Sequence, residues 1–206
     1  MNRRLAIIAV LLLAATLSAA TGTATLYSRL QSAYNSLSSF QAAVSQDNYY
    51  PQLKKTVTYT GNIYFTSGRM LMHFTKPGIQ RLLIQNGVVE LYDASSQTVF
   101  KSPMEPQFGK MNPVEILEAY WTKSTVSVTS EDKTNASVKL VPKSDDLVSS
   151  LSATMNKSSG IVSKLSYTDT SGNTVTYSFS GIKLNAGIAS SVWSYKYPSG
   201  TQVIEQ

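Results

Sequence analysis

The chain has 206 residues, no cysteine, one histidine, and 18 basic against 12 acidic side chains, for a net charge of +6. Without cysteine there are no disulfides, and clusters of cysteine and histidine that would bind a metal are excluded by count. The positive charge is spread along the chain, so it makes no basic stripe of the kind that grips nucleic acid.

The N-terminus reads as a secretory signal peptide over residues 1–20. Asn2-Arg3-Arg4 supplies the positive start, Leu5 to Leu17 the apolar run, and Ser18-Ala19-Ala20 the small residues at the cleavage point. The run is too short to span a bilayer comfortably. Removing 20 of 206 residues leaves 186, a single domain over 21–206. Losing Arg3 and Arg4 leaves 16 basic residues against 12 acidic, a charge of +4. No cysteine follows the cleavage point to carry a lipid, so the expected mature protein diffuses freely, outside the cytoplasm and as a monomer.

Residues 24–46 begin as an amphipathic helix. Leu26, Leu30, Tyr34, Leu37 and Phe40 recur at helical spacing, and the helix gives way to a strand between Ser38 and Gln46. From Thr56 the pattern changes to short apolar or alternating runs: Thr56–Phe65, Met70–Phe74, Gln80–Ile84, Val88–Tyr92 and Val99-Phe100. Later runs are Thr125–Val128, Ser137–Val141, Ser152–Met155, Val162–Tyr167 and Thr174–Phe179. Asn86-Gly87 between two of them signals a tight hairpin. So many evenly spaced short strands predict a large antiparallel sheet, curled or closed into a barrel.

Two helical interruptions are expected. Asn112 caps a helix running to Trp121, with Pro113 at its first position and Glu115 placed for a capping box. Ser144-Asp145-Asp146-Leu147-Val148 suits a single-turn helix.

The strand Arg69–Thr75 is the informative one. Period two puts Met70, Met72 and Phe74 on one face, with Arg69, Leu71, His73 and Thr75 on the other. Methionine is flexible and polarizable, which suits a partner of variable shape, although apolar stripes are more often ordinary core. A curled sheet can enclose more space than its own side chains fill. Met70, Met72, Phe74, Leu82, Ile84 and Leu91 are then candidate lining of an apolar cavity, with Ile116, Leu117 and Tyr120 on a helical lid hinged through Pro103, Pro106, Gly109 and Pro113. No catalytic residue or cofactor site is expected: His73 lacks a cysteine partner and reads as structural, and Gly68, Gly78 and Gly87 form no phosphate-cradling motif.

Several local patterns then meet in one order. These are Ser38-Ser39-Phe40-Gln41-Ala42-Ala43-Val44-Ser45-Gln46; Gly61-Asn62-Ile63-Tyr64-Phe65 followed by Arg69-Met70 and Lys76-Pro77; Asn86-Gly87 with Leu91-Tyr92-Asp93; Leu140-Val141-Pro142-Lys143; and Tyr197-Pro198-Ser199-Gly200-Thr201-Gln202-Val203-Ile204. Along nearly all its mature length the chain resembles the periplasmic outer-membrane lipoprotein carrier family, LolA. The resemblance implies an unclosed, strongly curved antiparallel β-barrel with α-helical lids over an apolar cavity. It implies a soluble periplasmic carrier, not an enzyme, whose cargo is acylated lipoproteins. The implied partners are an inner-membrane ABC-type releasing complex and an outer-membrane receptor. Thr66 stands where the family carries a basic residue linked to one-way transfer, which leaves Arg69 as the neighbouring candidate for gating. The alternative is a lipid or glycolipid shuttle, or a lipid-sensing module, of the same fold.

Overall fold

The computed structural model describes residues 21–35, 37–104 and 113–206. The signal-peptide expectation, the cap at Asn112 and the hinge positions Pro106 and Gly109 lie outside them.

Helix α1 runs Thr23–Tyr34, and strand β1 follows at Ser39–Tyr50. The helix is shorter than its periodicity suggested. The Asn35 N–H closes the last turn on the Gln31 carbonyl. Ser38 then donates from its N–H to Asn185 Oδ1 at 2.8 Å, which draws the chain into extended form. Leu37 and Phe40 are core residues as expected, but they reach the core from extended backbone rather than from the helix face.

The remaining strands are β2 Lys55–Thr66, β3 Arg69–Lys76, β4 Gln80–Gln85, β5 Val88–Asp93, β6 Thr98–Pro103, β7 Ser124–Glu131, β8 Asn135–Pro142, β9 Val148–Asn156, β10 Val162–Asp169, β11 Thr174–Leu184 and β12 Gln202–Glu205. Helix α2, Pro113–Trp121, interrupts them. All twelve form one sheet in the order β12-β6-β5-β4-β3-β2-β1-β11-β10-β9-β8-β7. Its two ends, β12 and β7, do not pair, so the sheet curls without closing.

Two antiparallel meanders, β2–β6 and β7–β11, thus hang on either side of β1, which pairs with β2 and β11. Asn86 and Gly87 both adopt positive φ, +55° and +74°, the backbone of a type I′ hairpin between β4 and β5. β12 adds to the outer edge of β6 as the one parallel pairing among the described residues.

The expected helix at Ser144–Val148 is absent. Asp145 Oδ1 instead accepts the N–H groups of Leu147 and Val148 at 2.9 and 2.7 Å. That side-chain turn satisfies the backbone locally and launches β9 directly.

The core fills the inner side of the curl. Leu26, Leu30 and Tyr34 of α1 meet Leu117 and Trp121 of α2 over Val138, Leu140, Leu151, Met155 and Val162 of β8–β10. Phe40 and Phe179 pack edge to face at 5.9 Å where β1 and β11 join.

Candidate functional site

The inner face of β2–β6 is built by register. Ile63 of β2 stands opposite Met72 of β3, Met72 opposite Leu82 of β4, Leu82 opposite Leu91 of β5, Leu91 opposite Phe100 of β6, and Phe100 beside Ile204 of β12. Side chains at paired positions share a face, so these six form one apolar row across six strands. The row emerges from the core as it goes. Ile63 and Met72 are 1% and 5% exposed, whereas Leu91, Phe100 and Ile204 are 40%, 43% and 42% exposed. A parallel row runs from Phe65 through Met70 and Ile84 to Val89. Contiguous exposed apolar surface is a common feature of interaction sites.

Both helices sit on the other half of the curl. α2 packs against α1, β7, β8 and β10. Its Leu117 and Trp121, one turn apart, are buried, and Trp121 stacks on Tyr27 of α1 at 5.4 Å. Gln31 Nε2 donates to Glu118 Oε1 at 3.1 Å, a second tie between the helices. Ile116 is 40% exposed. Tyr120 is half-buried, and its hydroxyl donates to Asp145 Oδ2 at 2.7 Å. Burial, reinforced by that carboxylate, pushes the Tyr120 phenol up to about 12. The same hydrogen bond, followed by those from the Val148 and Leu147 N–H groups, holds the Asp145 carboxyl below its ordinary value.

Of the expected cavity residues, Met70, Met72, Phe74 and Ile84 are buried in one apolar cluster, with Leu82 packed against it. Leu91 lies in the same row but is not part of that cluster. Of the lid residues, Leu117 faces the core, whereas Ile116 and Tyr120 lie towards its rim. Arg69 is on the opposite side of the sheet from the apolar rows. Its Nε donates to Thr66 Oγ1 at 3.2 Å, and its guanidinium sits 4.2 Å from the centre of the Trp193 ring.

The row residues absent from the expected lining are Ile63, Phe65, Val89, Phe100 and Ile204. Ile63 and Phe65 carried a usable signal, because they alternate within the Thr56–Phe65 run. Ile204 did not, since a four-residue edge strand has too few positions to show a period.

The outer face of the same meander is covered by residues 190–197. Tyr92 packs against Tyr195 and Tyr197 at 5.7 and 5.0 Å, and Tyr64 against Trp193 at 6.4 Å. His73 lies edge-on to Tyr195 at 6.0 Å, and burial, with Arg81 nearby, lowers its pKa. Two clefts open on this face, of about 240 and 280 Å³, the first beside the β1–β11 bulge and the second at His73 and Arg81.

Comparison with known proteins matches residues 35–196 to the family model described as outer membrane lipoprotein carrier protein LolA. No curated protein matches the chain. Among solved structures, an uncharacterized conserved protein of Thermus thermophilus is similar at 12% identity, TM-score 0.56, with 88% of this chain and 97% of that one covered. MucB is similar at 12% identity and TM-score 0.54, with 88% of this chain and 64% of that one covered. A LolA superfamily protein from Nitrosomonas europaea aligns at 10% identity and TM-score 0.42, over 87% of this chain and 100% of that one. At these identities the likeness is one of fold.

Proposed function

The chain belongs to the outer membrane lipoprotein carrier protein LolA family, and from that membership we propose that it is a periplasmic carrier that binds the acyl chains of lipoproteins against the inner face of its open sheet. The carrying observation is the row Ile63–Met72–Leu82–Leu91–Phe100–Ile204, continuous with the core at one end and open at the other. An acyl chain laid along it covers the exposed rings and aliphatic groups and extends the core outward.

The energetics fit a carrier. Each buried methylene contributes about 0.8 kcal/mol, so a long chain supplies on the order of 10 kcal/mol. Deeper entry requires α2 to move. That movement uncovers Leu117 and Trp121 and breaks the Tyr120–Asp145 and Gln31–Glu118 hydrogen bonds. Re-exposing a large apolar side chain costs about 1.5–3 kcal/mol, which offsets part of the cargo's binding energy and keeps release possible. Handover can then run downhill to a tighter acceptor. In this reading cargo arrives from an inner-membrane ABC-type releasing complex and leaves to an outer-membrane receptor. No residue is assigned a catalytic role, because the work is burial and release.

The test is binding of a triacylated lipopeptide to the purified protein, together with mass spectrometry of whatever co-purifies. Saturable binding and a co-purified lipopeptide support the carrier. Free lipid or glycolipid in its place turns the reading to a lipid shuttle or lipid-sensing module. No acyl ligand in either measurement overturns both.

A further inference from the structure

The cleft of about 280 Å³ on the outer face is lined by Tyr64, His73, Arg81, Ser191, Ser194 and Tyr195. Arg81 is 3% exposed. It stacks on the Tyr195 ring at 4.5 Å, yet among the described residues no carboxylate lies within ion-pair distance of it. Glu90 is near enough to favour the charged guanidinium. That carboxylate is already engaged, however, by Lys101 at 3.6 Å and by the Tyr197 hydroxyl. A desolvated cation without a counter-charge is costly, and natural proteins resolve it with a partner or a ligand.

The register sharpens the imbalance. Arg81 of β4 stands directly opposite His73 of β3 on this face. Burial and the facing guanidinium lower the His73 pKa, so the imidazole favours its neutral form and gives Arg81 no counter-charge. Ser191 and Ser194, both exposed, add hydroxyls that bond to nothing else among the described residues. The neighbouring Trp193 buries its indole N–H with no acceptor.

We propose that this outer cleft is an oxyanion-binding site, taking a phosphate group on the Arg81 guanidinium with help from Ser191, Ser194 and His73. A guanidinium over an aromatic ring can still pair in its own plane with two oxygens at once, and Arg81 lines the cleft. The cleft is on the opposite side of the sheet from the apolar rows, so the proposal stands independently of the carrier reading. The phosphate can belong to a soluble molecule or to a lipid headgroup, and both present the same oxygens.

Titrating the protein with inorganic phosphate, followed by amide NMR, is the first arm. Retention on vesicles of phosphatidylcholine with and without phosphatidylglycerol is the second. Saturable shifts at Arg81, Ser191 and Ser194 support a soluble phosphate. Retention that requires phosphatidylglycerol and Arg81 supports a headgroup. In either arm Arg81→Gln weakens binding roughly tenfold or more, the loss expected for a charge-assisted hydrogen bond. The exposed pair Ser191→Ala/Ser194→Ala, which does not disturb the core, weakens it by a smaller factor and covers the case in which Arg81→Gln fails to fold. Absence of response in both arms, shifts scattered over the surface lysines, or unchanged binding in the folded variants overturns the site.

Discussion

A methyl group at Gly160 would meet the Arg29 carbonyl oxygen at 2.1 Å, and the backbone there runs at φ +73°. This glycine lets α1 lie directly on the turn between β9 and β10, where the Val162 N–H donates to the Tyr34 hydroxyl at 3.2 Å. Gly160→Ala should therefore cost about 2 kcal/mol or more, read as a lower urea midpoint at unchanged slope. Leu91 offers the opposite case. It is 40% exposed, so Leu91→Gln should shift stability by only about 0.5 kcal/mol while weakening acyl-probe affinity roughly tenfold. Unchanged affinity removes Leu91 from the site. The same change at Met72, 5% exposed, would report on folding more than on binding. Which face each of these side chains takes was readable from the alternation of Met70, Met72 and Phe74. How far each is covered was not, because burial at Leu91 depends on strands and helices far away in sequence. Trp193, Tyr195 and Tyr197 were equally opaque: they alternate in sequence, yet their segment joins no strand, so no register showed what they cover.

Helix α2 is held by a small set of contacts, and the hydrogen bond from Tyr120 to Asp145 is the one most open to titration. The folded carboxyl of Asp145 is depressed, so its contribution is present above the ordinary carboxylate value of about 4 and is lost as pH falls through the lower folded value. The Tyr120 phenol is raised to about 12, so its contribution holds below its ordinary value of about 10 and is lost as pH rises towards 12. Amide protection in residues 115–121, corrected for intrinsic exchange, should thus be constant between about pH 5 and 9. Tyr120→Phe should lower it up to roughly tenfold throughout that window and leave protection in β3 and β4 unchanged. Equal loss in both places would mean α2 opens only with the whole molecule. Most elements were legible because their signals are local, as with the Asn86-Gly87 hairpin. The errors have local causes too: Leu37 and Phe40 extend the helical spacing of α1 by coincidence, and Asp145 forms a side-chain turn where a helix start looked equally good.

As a whole the molecule is a sheet with two free edges, and the C-terminus deals with one of them. β12 covers β6, and Lys101 lies 3.9 Å from Glu205 across the join. Deleting residues 202–206 should bare the hydrogen-bonding edge of β6 beside Phe100. The expected result is concentration-dependent association seen by light scattering, with a lower melting temperature. A truncated protein that stays monomeric would show that β6 needs no cover. That the sheet is large and antiparallel followed from the number and spacing of its strands, which left curled and closed forms equally open; only the resemblance to the LolA family implied an unclosed one. Where its edges fall did not follow, because β12 returns from far along the chain to pair in parallel. The join between β1 and β11 has a consequence of its own. Every other antiparallel neighbour in the sheet is also a neighbour in sequence, while this seam links the two ends of the domain. Each meander can assemble by itself from nearby segments, but the seam has to wait for the largest loop to close. Folding should therefore end with two ready-made half-shells being sewn together at Val44 and Phe179.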